Sequence, residues 1–217
     1  MNTNVLPDIL KSGDDNAIAI SIPGKFEINY SKLKSLVNET SEQLKTFGTI
    51  NEKPIVIVLG NNAEFIISFL SVTNTNAVVA PLNPEFTEEE FKFYLEDINP
   101  SLVITTENHK VIGEAKSKNI PVGVVDYNGE SLKIDFRGSG PDNKNYTSAN
   151  ENNSCLFLHT SGTTSRPKGV PLKHKNLLKS LTNIVDTYEL NKEDIAMVVM
   201  PLFHVHGLIG VALSSLA

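Results

Sequence analysis

Cysteine is nearly absent from this 217-residue chain. Cys155 stands alone, which excludes an internal disulfide and a thiol-rich zinc site; within Ser154-Cys155-Leu156-Phe157-Leu158 it reads as a small buried hydrophobe. No apolar run is long enough to span a bilayer as a helix. The start, Met1-Asn2-Thr3-Asn4, has neither the basic residues nor the apolar stretch of a secretory signal, and Asn2 in place of glycine excludes myristoylation. Positive charge is short as well. Against 25 Asp and Glu there are 19 Lys and Arg, giving a net charge of −6 with no basic stripe, so nucleic acid is not an expected partner. Apolar residues at 40% and charged residues at 20% are ordinary for a folded domain. The expectation is an intracellular globular protein without an integral membrane segment.

Strand and helix patterns alternate along the chain. Short strands are predicted over Ala17–Ile22 and Phe26–Tyr30, flanking the turn pair Pro23-Gly24. A helix capped by Ser31 and running to about Phe47 places Leu33, Leu36, Val37, Leu44 and Phe47 on one face. Pro54–Leu59 is rich in β-branched residues and reads as a parallel strand covered on both faces. A helix follows to about Thr73, capped by Asn61 or Asn62. Ala77–Ala80, Leu102–Thr105 and Val122–Val125 are further strands. Thr87-Glu88-Glu89-Glu90 is a capping box that opens a helix to about Asp97, and a weaker helix is placed near Lys110–Lys118. The rhythm predicts an α/β fold with mostly parallel sheets flanked by helices.

Gly138 to Asn153 breaks the pattern with polar and turn-forming residues and is read as an exposed linker. After it come a strand at Cys155–His159, a polar loop, a helix from about Lys175 to Tyr188, a strand at Ala196–Met200, and an apolar helix from His206. That helical run continues through Leu213–Ala217 without a stop signal, so the chain is expected to be cut in mid-structure.

The polar loop carries the chemistry. In Thr160-Ser161-Gly162-Thr163-Thr164-Ser165-Arg166-Pro167-Lys168-Gly169, five hydroxyl residues lie within six positions. Gly162 permits a tight approach to a ligand, and Pro167 keeps the loop from becoming helical. Backbone N–H groups and hydroxyls can ring a phosphate while Lys168 supplies a point charge. A polar surface loop is the plain alternative. A Walker A loop is the near one, but it ends Gly-Lys-Ser/Thr, and Pro167-Lys168-Gly169 does not match. His204 and His206, two apart, read either as core or pocket histidines or as metal ligands, and no third ligand is apparent nearby.

This loop resembles the phosphate-loop signature of the adenylate-forming superfamily, which includes acyl- and aryl-CoA synthetases, beetle luciferases and peptide-synthetase adenylation domains. The usual pattern, Thr-Ser-Gly-Thr-Thr-Gly-x-Pro-Lys-Gly, is matched at Thr160 to Thr164, Pro167, Lys168 and Gly169; Ser165 stands where glycine is usual. The longer string from His159 to Leu172 is similar to the form found in peroxisomal-type CoA synthetases and oxalate–CoA ligases. Val198 to Gly207 resembles the next family motif, whose histidine stands beside the acyl pocket, and Ala77 to Pro84 followed by Thr87 to Glu90 resembles an upstream structural motif.

The resemblance implies the amino-terminal part of the large AMP-binding domain over residues 1–217. Thr160, Ser161, Gly162, Thr163, Thr164, Ser165 and Lys168 would hold nucleotide, and Lys168 and His204 would act in catalysis. It further implies ATP, Mg²⁺ and CoA as reactants and a carboxylic acid as substrate, with oxalate the first candidate. The family's downstream Tyr-Gly-x-Thr-Glu segment, its ribose-binding Asp motif and its carboxy-terminal domain are not in this sequence. An acid–CoA ligase fragment, peroxisomal or cytoplasmic, is therefore the first expectation. A truncated non-catalytic nucleotide binder and an adenylating enzyme with a non-CoA acceptor are the others. Arg166, His159, His174 and His206 are assigned structural or surface roles, and no metal-ligating residue is assigned.

Overall fold

The computed structural model describes residues 5–48, 53–141, 147–160 and 167–217. Apolar periodicity and local caps build its elements. Strands β1 (Ile18–Ile22) and β2 (Phe26–Asn29) form a separate antiparallel hairpin, turned at Gly24, whose φ of 73° favours glycine. Helix α1 (Tyr30–Phe47) follows. Its cap is Asn29 rather than the expected Ser31: the Asn29 side chain accepts the Lys32 N–H at 2.8 Å. The helix stops at Gly48, which takes the left-handed conformation.

A seven-stranded sheet forms the centre. Its strands are β3 (Pro54–Val58), β4 (Val78–Pro81), β5 (Leu102–Thr105), β6 (Val122–Tyr127), β7 (Leu132–Arg137), β8 (Ser154–His159) and β9 (Gly169–Lys173), in the order β7-β6-β5-β3-β4-β8-β9. Strands β3 to β6 and β8 run parallel, while the two edge strands, β7 and β9, are antiparallel to their neighbours. The expected α/β class with a mostly parallel sheet is what folds. Helices α2 (Ala63–Asn74), α3 (Glu88–Ile98), α4 (Val111–Ser117) and α5 (His174–Tyr188) make the crossovers and cover. The capping box is present: Glu90 N–H donates to Thr87 Oγ1, and Thr87 N–H donates back to the Glu90 carboxylate. That contact holds the Glu90 carboxyl below its usual pKa.

Alternate residues of β3 point to opposite faces, and each face has its own core. Ile55 and Ile57 pack with α1, α2 and α5 residues, including Leu33, Leu36, Phe65, Phe69, Leu177 and Leu181. Val56 and Val58 pack with Phe91 and Leu95 of α3 and Val111 and Ala115 of α4. Cys155 is buried in the first core, where loss of water pushes its thiol up to about 12. Among the described residues, no helix is long and apolar enough to cross a membrane.

One expected strand does not form, and two strands form that the sequence did not lead one to expect. The polar loop leads into β9 before the expected helix, which forms as α5. Strand β7 was likewise unexpected. The strand predicted at Ala196–Met200 does not form, and Ile195, Met197 and Val199 stand 99%, 80% and 72% exposed. Their alternation suits a strand, but a strand is completed by a neighbour's hydrogen bonds, and this segment has no partner strand among the described residues. Residues 138–153 join strands of one sheet. Those of them that are described form no helix or strand.

His174 ties the amino terminus to α5. It is fully buried, and its Nδ1 accepts the Leu6 N–H at 3.0 Å. The neutral ring must then carry its proton on Nε2, which is buried with no hydrogen-bond partner among the described residues. Protonating Nδ1 would break the Leu6 contact in a dry site, and burial lowers the pKa to about 4. Because the folded value lies below the unfolded one, stability is full above about pH 6.5 and falls as pH drops, since the unfolded state takes up the proton first. The loss grows to roughly 3 kcal/mol by about pH 4. Urea titrations at pH 7 and pH 4.5 should show this slope, and His174→Asn, which keeps an acceptor for Leu6, should flatten it. Equal slopes in the two proteins would remove the assignment.

Candidate functional site

In an open parallel sheet, ligands sit outside the carboxyl ends of the strands, where successive crossovers diverge to opposite faces. Here that point surrounds β3. Its outgoing helix α2 packs on one face, while α3 and α4, which follow β4 and β5, pack on the other. The loops leaving β3, β4, β5 and β8 all emerge at this edge because those strands are parallel.

The loop after β8 is a hairpin loop with a closed neck. Thr160 N–H donates to the Lys168 carbonyl at 2.9 Å. Lys168 N–H donates to Thr160 Oγ1 at 3.3 Å. The β8–β9 ladder continues directly below, pairing His159 with Gly169. A Cβ at position 169 would stand 2.1 Å from the Phe157 ring, so a larger residue there would have to turn that ring aside. The neck therefore fixes where the loop begins and ends, and both Thr160 and Lys168 are exposed. Ser161, Gly162, Thr163, Thr164, Ser165 and Arg166, the centre of the expected phosphate cradle, lie outside the described residues.

His159 anchors the neck from below. Its Nε2 lies 2.9 Å from Asp97 Oδ2 of α3, and its ring packs edge-on against Tyr94 and Phe157. This is the structural role expected of it.

A second segment reaches the same edge. Met200 to Gly207 forms a turn in which His204 N–H donates to the Pro201 carbonyl at 3.1 Å and the His204 carbonyl accepts the Leu208 N–H at 3.0 Å. The base of the turn is held by Asn61, in the β3–α2 connection. Asn61 Nδ2 donates to the Met200 carbonyl at 2.9 Å, and Asn61 Oδ1 accepts the Leu202 N–H at 2.8 Å. His204 and His206 are both exposed. His206 opens a π-helical segment, His206–Leu213, that runs on into Ser214–Leu216.

Neighbouring strands lie roughly 5 Å apart, so the ends of β3 and β8, separated by β4, are about 10 Å apart. The Asn61 clamp after β3 and the Lys168 neck after β8 thus both stand at the carboxyl edge of the sheet, with β4 between them. Asn61 was legible only as a candidate helix cap. The cap is in fact Asn62, whose Oδ1 accepts the Phe65 N–H at 3.0 Å, and that leaves Asn61 for a contact 139 residues away in sequence.

Two surface concavities lie elsewhere. One, with Lys116, Asn119, Pro121 and Arg137, sits at the amino end of β6. The other, with Gln43, Phe47 and Phe136, sits between α1 and β7. Neither contains Lys168 or His204, and the first is at the wrong end of the strands for a ligand of this fold class. Among the described residues, no group of three His, Cys, Asp or Glu side chains could hold a metal ion.

Known proteins resemble this chain over most of its length. Residues 10–217 match the family described as AMP-binding enzyme. The chain is 37% identical to an oxalate–CoA ligase of Arabidopsis thaliana over 99% of its own length and 43% of that protein's. It is 31% identical to an oxalate–CoA ligase of Saccharomyces cerevisiae, over 94% of its length and 44% of the relative's. The ATP-bound crystal structure of MatB from Rhodopseudomonas palustris superposes with a TM-score of 0.81 at 22% identity, covering 99% of this chain and 44% of that one. The chain spans less than half the length of these relatives.

Proposed function

The chain belongs to the AMP-binding enzyme family, and on that premise we propose that it is the amino-terminal part of the adenylation domain of an ATP-dependent acid–CoA ligase. One observation carries the reading. The hydroxyl-rich loop with its single lysine is held by a closed hairpin neck at the carboxyl edge of a parallel sheet, where that fold class binds ligands. Oxalate is the acid we favour, on the names of the two relatives given above. A peroxisomal or cytoplasmic residence, where ATP and CoA are both available, accompanies it.

The reaction has two displacements. A carboxylate oxygen of the acid bonds to the α-phosphorus of ATP as the bond to the bridging oxygen breaks, and pyrophosphate leaves with the electron pair. The thiolate of CoA then bonds to the acyl carbon, and AMP leaves. The first step needs no general base, because a carboxylic acid of pKa about 4 is already ionised near neutral pH. It needs two anions held in line and charge neutralised on the departing pyrophosphate. Lys168, exposed at the neck, and the hydroxyls and amides of Thr160 to Ser165 serve that second need. His204, on the turn held by Asn61 at the same edge of the sheet, would border the acid. Mg²⁺ would accompany the nucleotide; the described residues offer no carboxylate or histidine cluster for it, and no step is assigned to it.

Acid-dependent exchange of labelled pyrophosphate into ATP, measured on the full-length protein with oxalate, malonate and a fatty acid, tests the proposal. Exchange followed by CoA-dependent thioester formation is the expected result. Exchange without thioester would point to a non-CoA acceptor. No exchange with any acid, but a raised unfolding temperature with ATP, would leave a non-catalytic nucleotide binder.

A further inference from the structure

We infer that Asn61 is a positioning residue for acid binding, holding the His204 turn in register with the nucleotide loop; the inference rests on the ligase reading above. Asn61 is not needed to start α2, since Asn62 does that. Its amide instead spans a carbonyl and an N–H two residues apart, Met200 and Leu202. This is the pair a neighbouring β-strand would satisfy. The preceding segment, with Ile195, Met197 and Val199 exposed, has no strand partner among the described residues. The Asn61 side chain thus stands in for a strand at the point where the chain enters the turn.

From that clamp to His204 the backbone is continuously tied. Pro201, between the two clamped residues, accepts the His204 N–H. Gly207 closes the turn over the same carbonyls: a Cβ there would stand 2.3 Å from the Pro201 oxygen and 2.6 Å from the Met200 oxygen. Nothing larger than glycine fits without moving the clamp. His204 therefore inherits its place from Asn61, although the two side chains are not bonded to each other. The chemistry requires an amide. Aspartate accepts from Leu202 but cannot donate to Met200, and its charge would face a carbonyl oxygen.

The experiment compares Asn61→Ala and Asn61→Asp in the full-length protein, in the wild-type and His204→Ala backgrounds. Oxalate is the acid probe, with malonate in its place if only malonate supports exchange. Loss of two ordinary hydrogen bonds should raise the acid KM about tenfold, with the ATP KM within about twofold. In the His204→Ala background the further change should fall below about twofold, because the group being positioned is gone. A purely structural asparagine would instead move both KM values together and additively with His204→Ala, which would overturn the inference.

Hydrogen exchange supplies an arm independent of activity. Asn61→Ala should abolish protection of the Leu202 amide while leaving Ile57 in β3 protected. A Leu202 amide as slow in the variant as in the parent would sink the clamp even if the ligase reading held. Absence of acid-dependent exchange in the unaltered protein defeats the ligase reading, and this role of Asn61 with it.

Discussion

Lys168→Ala in the full-length protein should lower acid-dependent pyrophosphate release by about 10²- to 10³-fold in kcat, the range seen when one preorganised electrostatic contact to a transition state is lost. The variant should fold normally. Only backbone atoms of Lys168 close the neck, through Thr160, so removing the exposed side chain leaves the hairpin in place. Among the described residues, Lys168 forms no ion pair that its removal would break. The unfolding temperature should therefore hold while turnover falls. Lys168→Arg should restore only part of the rate, because the guanidinium fork presents charge over a wider plane than the compact ammonium. Pyrophosphate release by Lys168→Ala at the parent rate would remove this residue from the mechanism.

The largest effect on stability is expected from Phe69→Ala. Phe69 is fully buried on α2, with its ring parallel to that of Phe65 at a centroid distance of 6.3 Å. It belongs to the core that joins α1, α2 and α5 to the sheet. Truncation removes the apolar surface and leaves a cavity that rigid neighbours fill poorly, which costs about 3–5 kcal/mol. Whole domains are stable by only about 5–15 kcal/mol, so the urea midpoint should fall steeply at nearly constant slope. Phe69→Leu, which fills more of the space, should fall less. A midpoint shifted by under about 1 kcal/mol would mean that this core is loosely packed.

Much of the site was legible before the fold. The order Thr160 to Gly169 reads as a phosphate loop because its chemistry is local: hydroxyls, amides and a lysine within ten residues. Its setting was not legible. Gly169-Val170-Pro171-Leu172-Lys173 contains a glycine and a proline and carries a weak strand signal; it becomes β9 because β8 lies beside it and offers a ladder. The reverse holds at Ala196–Met200, where the alternation is clear but no strand arrives to meet it. His204 is a site candidate only through the motif that carries it. The residue that seats it, Asn61, gave no signal beyond standing after an apolar strand, where a helix cap was the simpler reading.

By itself the sequence determined the α/β class, the capping box at Thr87 and Glu90, the core face of α1, and the loop that marks the family. Each of these rests on residues within a few positions of one another, so their spacing along the chain carries the information. Tertiary structure alone decided the strand order, the hairpin that closes the loop, the partners of His159 and His174, and the bond from Asn61 to Met200 and Leu202. Hydrogen bonds join residues up to 205 positions apart, and a donor in the sequence does not name its acceptor. Only the packed chain does, because a buried polar group is satisfied by whatever the fold brings within reach.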